Sequence, residues 1–211
     1  MKNKIDKNYN IILDLLYKQE GGVIHRNPSE KDITTSYGIY RYSWADAEVF
    51  KYIDKVANNL KLPYDSSSWD KEQISRINKV IDQNLERYYS YVFYQGYFSK
   101  LNLEIYPEEL LNVACSIYTN SPLIYSKALQ NSLNRFVSKG LLEYSFLTVD
   151  GKIGEKTNLL VKDLNNLPKS VINEFKNLLI DNCKEQYIKL AQNPKYKKFL
   201  NGWLNRCESL R

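Results

Sequence analysis

Residues 8–22 read NYNIILDLLYKQEGG, and this stretch decides the fold class and carries the main candidate for chemistry. Its apolar side chains recur at the spacing of one helical face, at Ile11, Ile12, Leu15 and Leu16. This periodicity predicts a helix over residues 8–19, with Asp6 as its N-terminal cap. Gly21-Gly22 ends the predicted helix, because glycine adopts the left-handed conformation after a helix at little cost. The carboxyl group of Glu20 is therefore expected at the C-terminal end of the helix.

Further start and stop signals predict a mainly α fold, with an irregular loop or a short hairpin over residues 23–44. Ser67 and Asp70 resemble a capping box ahead of a long helix that continues to Tyr88 and is interrupted at Gly96. Later helices are predicted after Pro107, Ser121-Pro122, Gly154 and Ser170, and from Tyr196 to Leu204. A soft boundary over residues 138–150 separates a region 1–140 from a region 141–211. These regions are either two domains or parts of one.

The composition is that of an ordinary globular chain, with 43% hydrophobic and 26% charged residues among 211. No apolar run approaches the roughly 20 residues that span a bilayer. The N-terminus lacks the apolar stretch of about 7–15 residues that a signal peptide needs, so we expect synthesis in the cytoplasm. The net charge of +6 favours an anionic partner, although the lysines look scattered along the chain.

Cysteine and histidine usage argues against a metal site or a cofactor. The three cysteines, Cys115, Cys183 and Cys207, cannot all pair within one chain, so we expect reduced and mostly buried thiols. His25 is the only histidine and no Cys-x-x-Cys pair exists, which leaves no set of residues typical of a zinc site. We interpret His25 as a loop residue.

The position of Glu20 suits a proton donor. The unpaired carbonyl groups of the last helical turn disfavour a carboxylate there, and packing against a core would add a desolvation penalty. Both effects raise the pKa, which a carboxylic acid needs in order to protonate the leaving oxygen of a glycosidic bond. The alternative is a solvated surface glutamate ahead of a Gly-Gly cap, and the residues alone leave both interpretations open.

Four motifs in sequence order resemble the glycoside hydrolase 108 muramidases, which include phage endolysins and secretion-associated muramidases. The first runs from Glu20-Gly21-Gly22-Val23 through Asn27-Pro28 to Thr35-Ser36-Tyr37-Gly38-Ile39. The others are Asn120-Ser121-Pro122 to Leu129-Gln130, Asp150-Gly151-Lys152-Ile153-Gly154 to Thr157, and Phe199-Leu200-Asn201-Gly202-Trp203-Leu204 to Arg206. The resemblance covers most of the chain and implies a lysozyme-like helical lobe at 1–140. A helical, peptidoglycan-binding-like region at 141–211 would follow.

The resemblance also implies the roles of single residues. Glu20 would be the catalytic acid, and the Thr35 hydroxyl would hold a water molecule or a sugar hydroxyl. Asp32-Ile33 replaces the Gly-Gly of the family motif, and Glu30 replaces its aspartate. Glu30 and Asp32 are thus candidates for a second carboxylate, with solvated loop residues as the alternative. Ser116 stands where the family usually has an aspartate.

Substrate binding is expected from aromatic and amide side chains. The candidates are Tyr37, Ser36, Tyr97 and Asn120, although core packing explains a tyrosine equally well in a chain with 18 of them. Trp203 lies on an apolar stripe and is expected in the core, with Gly202 permitting a close approach between helices.

These patterns predict a monomeric peptidoglycan hydrolase that cleaves the β-1,4 bond of murein. It would act in the periplasm or cell wall, after release by a holin or a secretion system. The alternative is a catalytically impaired protein that binds peptidoglycan or a secretion apparatus. A helical nucleic-acid binder is a weaker alternative, because no base-reading motif is present.

Overall fold

A computed structural model describes residues 7–15, 24–25, 31–35, 41–43, 48–81 and 98–211. The structure is mainly helical, which confirms the predicted fold class. The chain forms two compact units, which we call the inserted unit (residues 13–96) and the terminal unit (residues 1–12 and 97–211). The predicted boundary near residue 140 therefore lies inside the terminal unit.

In the part of the inserted unit that the structure describes, a small antiparallel pairing is followed by two helices. Strand β1 (Ile24–His25) pairs with strand β2 (Thr34–Thr35), with Ile24 opposite Thr35. This pairing agrees with the predicted hairpin and places the backbone of His25 in a strand. A 3₁₀ turn (Arg41–Ser43), helix α2 (Glu48–Asn59), a second 3₁₀ turn (Ser66–Ser68) and helix α3 (Lys71–Asn78) follow.

The described core of the inserted unit is apolar. Its residues come from β1, from the position before β2, from α2 and α3, and from the segment between these helices. Its buried members are Ile24, Ile33, Val49, Phe50, Ile53, Val56, Ala57, Trp69 and Ile77. Five of these lie on α2, at the spacing of one helical face. The indole N–H of Trp69 donates to the Pro63 carbonyl at 2.8 Å, so this large ring is buried without an unpaired donor.

Helix α3 is shorter than predicted and begins differently. Its cap is Asp70, which exchanges hydrogen bonds with Gln73 in a capping box, with distances of 2.8 and 2.9 Å. Ser67 lies one turn earlier, in the 3₁₀ turn that Asp65 caps through a 2.9 Å bond to the Ser67 N–H. The helix ends at Asn78, and the predicted positions of Tyr88 and Gly96 lie outside the described residues.

The terminal unit contains most of the helices. Residues 7–15 are helical (α1), which agrees with the predicted first helix over the part described. Single turns at Ser99–Leu101 and Leu103–Ile105 precede α4 (Glu108–Asn120), α5 (Pro122–Ser138), α6 (Glu155–Asp163), a 3₁₀ turn (Leu164–Asn166) and α7 (Lys169–Leu190). A turn at Pro194–Lys197 and helix α8 (Leu200–Glu208) complete the chain. The predicted helix starts after Pro107, Ser121-Pro122 and Gly154 are confirmed.

Packing of α5 against α7 joins the regions on both sides of residue 140. Phe136 of α5 and Phe175 of α7 meet edge to face, with ring centroids 4.9 Å apart. Helix α8 packs on α7, where Trp203 stacks on Tyr187 at 4.9 Å. Trp203 is only partly buried, and a Cβ on Gly202 would meet no atom within 4 Å, so the expected close approach at Gly202 is wrong.

Residues near the N-terminus belong to the terminal unit through buried contacts. Asn8, which is 2% exposed, donates from Nδ2 to the carbonyl oxygens of Leu103 and Tyr106 at 2.9 and 3.2 Å. Tyr9 meets Phe98 edge to face at 5.2 Å. These contacts join positions that are about a hundred residues apart, which no local pattern predicts.

The described helices include none with both the length and the apolar character that crossing a bilayer requires. All three cysteines are buried thiols, as predicted. Burial raises the pKa of the Cys207 thiol to about 11 and raises that of Cys183 well above its usual range.

Candidate active site

The predicted site residues divide into those that the structure describes and those that it does not. Glu20, Glu30, Ser36, Tyr37 and Tyr97 lie outside the described residues. Asp32 and the backbone of Thr35 are described in the inserted unit, whose range also includes Glu20. Asn120 is described in the terminal unit.

The strand pairing fixes the backbone on which Thr35 lies. Thr35 is opposite Ile24, and Ile24 follows Glu20 by four positions. On the other side of β1, Asn78 completes the ladder with its side chain. Its Oδ1 accepts from the Ile24 N–H at 2.8 Å, and its Nδ2 donates to the Ile24 carbonyl at 2.9 Å. Two-residue strands contribute few hydrogen bonds of their own, so the Asn78 amide adds a hydrogen-bonding partner for the backbone of β1.

Asp32 is held in place at the start of β2. Its Oδ1 accepts from the Ile33 N–H at 2.7 Å and from the Ser66 hydroxyl at 2.6 Å. Ser66 is 2% exposed, whereas Asp32 is partly exposed. One carboxylate oxygen therefore links the strand to the 3₁₀ turn at Ser66–Ser68. This contact gives Asp32 a positioning role, and a direct part in catalysis stays a prediction.

An ion pair that the sequence did not indicate lies beside the strands. Arg41 Nη2 and Asp54 Oδ2 are 2.6 Å apart, with 16% and 33% of their side chains exposed. The Arg41 guanidinium lies 5.4 Å from the Phe50 ring centroid, and the Arg41 N–H donates to the Ile33 carbonyl at 3.1 Å. Arg41 therefore ties the loop after β2 to helix α2. Thirteen residues separate the two charges, so no helical or strand spacing pointed to the pair.

A cavity of about 380 Å³ opens next to this ion pair, within the size range of small-ligand sites. Its lining residues include Asp54, Asn58 and Tyr64, which is 95% exposed. The Asp54 carboxylate is engaged by Arg41, which leaves the Asn58 amide and the Tyr64 phenol as candidates for contacts with a sugar. No sequence pattern pointed to any of these three residues.

Asn120 turns its amide towards its own helix. Its Nδ2 donates to the Ser116 carbonyl at 2.9 Å, at the C-terminal end of α4. Ser116 is 7% exposed, so the position where the resembling family has an aspartate is buried here. Asn120 itself is exposed, and binding of a sugar by this residue stays a prediction.

Two of the sequence motifs meet in the terminal unit. Gln130 is 2% exposed and donates to Asp150 Oδ1 at 2.9 Å and to the Lys152 carbonyl at 3.0 Å, while its Oε1 accepts from the Gly151 N–H at 2.8 Å. Gly151 has φ +80°, which a side chain would strain. These bonds define a turn, as predicted for Asp150-Gly151, and involve no reactive group.

In the described part of the chain, histidine, cysteine, aspartate and glutamate side chains form no cluster of three or more. Nothing there supports metal binding. The described part of the inserted unit thus offers a paired strand, an anchored carboxylate and an adjacent polar cavity.

Neither a family model nor a curated protein sequence matches this chain. The resemblance to the muramidases therefore rests on the motifs quoted above.

Proposed function

We propose that this chain is an N-acetylmuramidase, a peptidoglycan hydrolase with Glu20 as its general acid and a lysozyme-like catalytic lobe. The observation that carries the proposal is the order of four motifs, which follows that of the glycoside hydrolase 108 family. Only the first motif holds an acid beside a Gly-Gly pair and a Thr-x-Tyr-Gly segment. The enzyme would act on murein in the periplasm or cell wall.

The reaction is hydrolysis of the β-1,4 bond that follows N-acetylmuramic acid. Glu20 donates its proton to the leaving oxygen as the glycosidic bond breaks, and water adds its hydroxyl to the anomeric carbon. The remaining water proton goes to a carboxylate: if this is Glu20 the enzyme is restored directly, and if it is a second carboxylate, that group releases the proton to solvent and Glu20 takes one up. Thr35 positions the water molecule or a neighbouring sugar hydroxyl.

The register of the strands supports this assignment. Cα atoms of opposite residues in an antiparallel pair lie about 4.5–5.5 Å apart, so Thr35 is close to Ile24. The four residues from Glu20 to Ile24 span at most about 14 Å of chain. The chain between them is therefore short enough for both motif residues to share a site.

Asp32 and Glu30 are the candidates for the second carboxylate. Only one Asp32 oxygen is occupied by the bonds to Ile33 and Ser66, so its other oxygen can accept a proton or orient water. The cavity beside Asp54 lies in the same unit and offers room for a sugar.

A murein turbidity assay tests the proposal. Wild-type protein should clear the suspension, and Glu20→Gln should lose at least about a hundredfold in rate, because the amide keeps the shape but has no acidic proton. Glu72→Gln is the matched control, since Glu72 is exposed on α3 of the same unit and should clear at the wild-type rate. Clearing by Glu20→Gln at the wild-type rate, with both variants folded by circular dichroism, would remove Glu20 from the mechanism.

A second candidate is a catalytically impaired protein that binds peptidoglycan or a secretion apparatus. The burial of Ser116 favours it, because a serine hydroxyl in the protein interior cannot replace the carboxylate that the family has there. Wild-type protein that pellets with murein without clearing it would support this candidate and contradict the hydrolase.

A further inference from the structure

The excess positive charge of the chain is concentrated in residues 189–206, which we call the basic segment. The chain has 30 basic and 24 acidic residues. Five of the basic residues and none of the acidic ones lie in the basic segment, which leaves 25 and 24 elsewhere. The lysines are scattered along the chain, as expected, but almost all of the net charge belongs to one stretch of 18 residues.

The cations of the basic segment are exposed, and none pairs with an acidic residue of the described ranges. They are Lys189, Lys195, Lys197, Lys198 and Arg206. None of the five takes part in an ion pair within the described chain. Immediately outside the segment, by contrast, Lys184 pairs with Glu208, and Arg211 pairs with Asp181 and Glu208. These charges can therefore neutralise an external anion without breaking an ion pair of the described residues.

Each aromatic ring of the segment has a lysine or another aromatic ring beside it. Lys195 Nζ lies 5.5 Å from the centroid of the Tyr196 ring, and Lys198 Nζ lies 4.9 Å from that of Phe199. Trp203 stacks on Tyr187 and lies 5.7 Å from Phe199. Nucleic-acid bases and sugars bind aromatic side chains through the ring face, so these neighbours argue against both ligands.

The exposed apolar surface suits a lipid headgroup region instead. Phe199 is 46% exposed and directly follows Lys197 and Lys198. Lysine side chains can extend their ammonium groups towards phosphates while their methylene stems and a neighbouring phenyl ring enter the apolar boundary. A segment with this pattern lies on a bilayer and does not cross it.

We propose that the basic segment docks the protein on a bilayer surface that carries anionic phospholipids. The lysines at positions 195, 197 and 198 bind the headgroup phosphates, and Phe199 inserts at the interface. This docking is independent of Glu20, so its test and the murein assay can fail separately.

Co-sedimentation with vesicles of equimolar phosphatidylcholine and phosphatidylglycerol tests the proposal on the full chain. Wild-type protein should pellet with these vesicles, should not pellet with pure phosphatidylcholine, and should be released by salt. The triple variant K195Q/K197Q/K198Q should bind about a hundredfold more weakly, since each lysine near an anionic surface contributes about 1 kcal/mol.

The matched control is K71Q/K79Q/K156Q, which removes the same charge from three exposed lysines outside the segment. It should keep most of the wild-type affinity. Phe199→Ser should weaken vesicle binding several-fold while leaving the weaker attraction to a single-stranded DNA oligomer unchanged. The proposal would be overturned if both triple variants lost the same affinity, or if the wild type bound neutral vesicles. It would also be overturned if the protein bound DNA as tightly as vesicles and the variants weakened both equally.

Discussion

At the scale of single residues, two amide side chains on α5 hold the loop that follows the helix. Gln130 binds the backbone of residues 151 and 152, and Asn134, one helical turn later, exchanges bonds of 2.7 and 2.9 Å with the backbone of Leu147. The turn at Asp150-Gly151 could be predicted because its chemistry is local. Its partners on α5 could not, because Gln130 lies 20 positions earlier in the chain than Asp150.

The Asp150 carboxylate should make stability depend on pH. Hydrogen bonds from Gln130 and from the Lys152 N–H lower its pKa, so the charged form is favoured in the folded state. The stabilisation is present above the unfolded-state pKa of about 3.9 and is lost as pH falls through the lower folded-state value. Asp150→Asn should therefore be less stable than wild type at neutral pH in urea unfolding, and the two curves should converge in acid.

Glu143→Gln is the control for this comparison, because it removes one negative charge from an exposed position of the same loop. It should not reproduce the pH-dependent difference. A difference between wild type and Asp150→Asn that stays constant down to acid pH would contradict the role assigned to the charge.

At the scale of elements, local signals predicted most helices of the terminal unit. Proline at the first position of α5 and glycine before α6 mark helix starts for backbone reasons that need no tertiary partner. Gly140, at φ +71°, likewise marks the stop after α5. Ser121 makes no side-chain cap bond, so the proline alone carried that signal.

The elements that were missed or misjudged depend on distant contacts or on weak caps. Helix α2 received no prediction, because no Ser-x-x-Glu or proline signal marks its start, although its apolar spacing fits a helix. Helix α3 ends at Asn78, whose side chain binds Ile24 from 54 positions away. The candidate site follows the same rule: the sequence indicated Asp32 but not its partner Ser66, nor Arg41 with Asp54. The catalytic role of Glu20 stays a prediction.

Substitution of Asn78 should loosen β1 without removing any core side chain. Asn78→Ala deletes both bonds to Ile24, whose backbone groups are buried, and should destabilise the protein by about 1–3 kcal/mol. Asn78→Asp keeps only the acceptor and should also be destabilising, because its carboxylate faces the Ile24 carbonyl. Urea unfolding measures the loss, with Lys79→Ala as an exposed neighbouring control. Wild-type stability of Asn78→Ala would contradict the bracing role.

At the scale of the whole molecule, the chain divides at residues 12–13 and 96–97, and only the second division has a sequence signal, Gly96. The Asp-Gly turn and the loop around it suggested a boundary at residues 138–150. Yet α5 before that loop and α7 after it share one core, with Phe136 against Phe175. A loop that reads as a linker can equally be a connection between two packed helices, and only the packing distinguishes the two.

Asn8 should matter more than its place near the start of the chain suggests. Asn8→Ala removes two bonds to buried carbonyl groups of Leu103 and Tyr106, so we expect a loss of about 2–3 kcal/mol in the free energy of unfolding. Asn10→Ala, at an exposed position on the same helix, should change stability by less than about 0.5 kcal/mol. Urea titration of both variants provides the measurement, and equal stability would show that the contact contributes nothing.

The bonds from Asn8 to Leu103 and Tyr106 also set an order of events on the ribosome. The sequence of the inserted unit is complete once residue 96 has been translated, whereas residues 7–12 must wait for partners encoded beyond residue 97. Since domains generally fold as they emerge, the middle of this polypeptide can acquire structure before its beginning does. A nascent chain whose first 96 residues have left the ribosomal tunnel would thus carry a folded middle and a still unpartnered first segment.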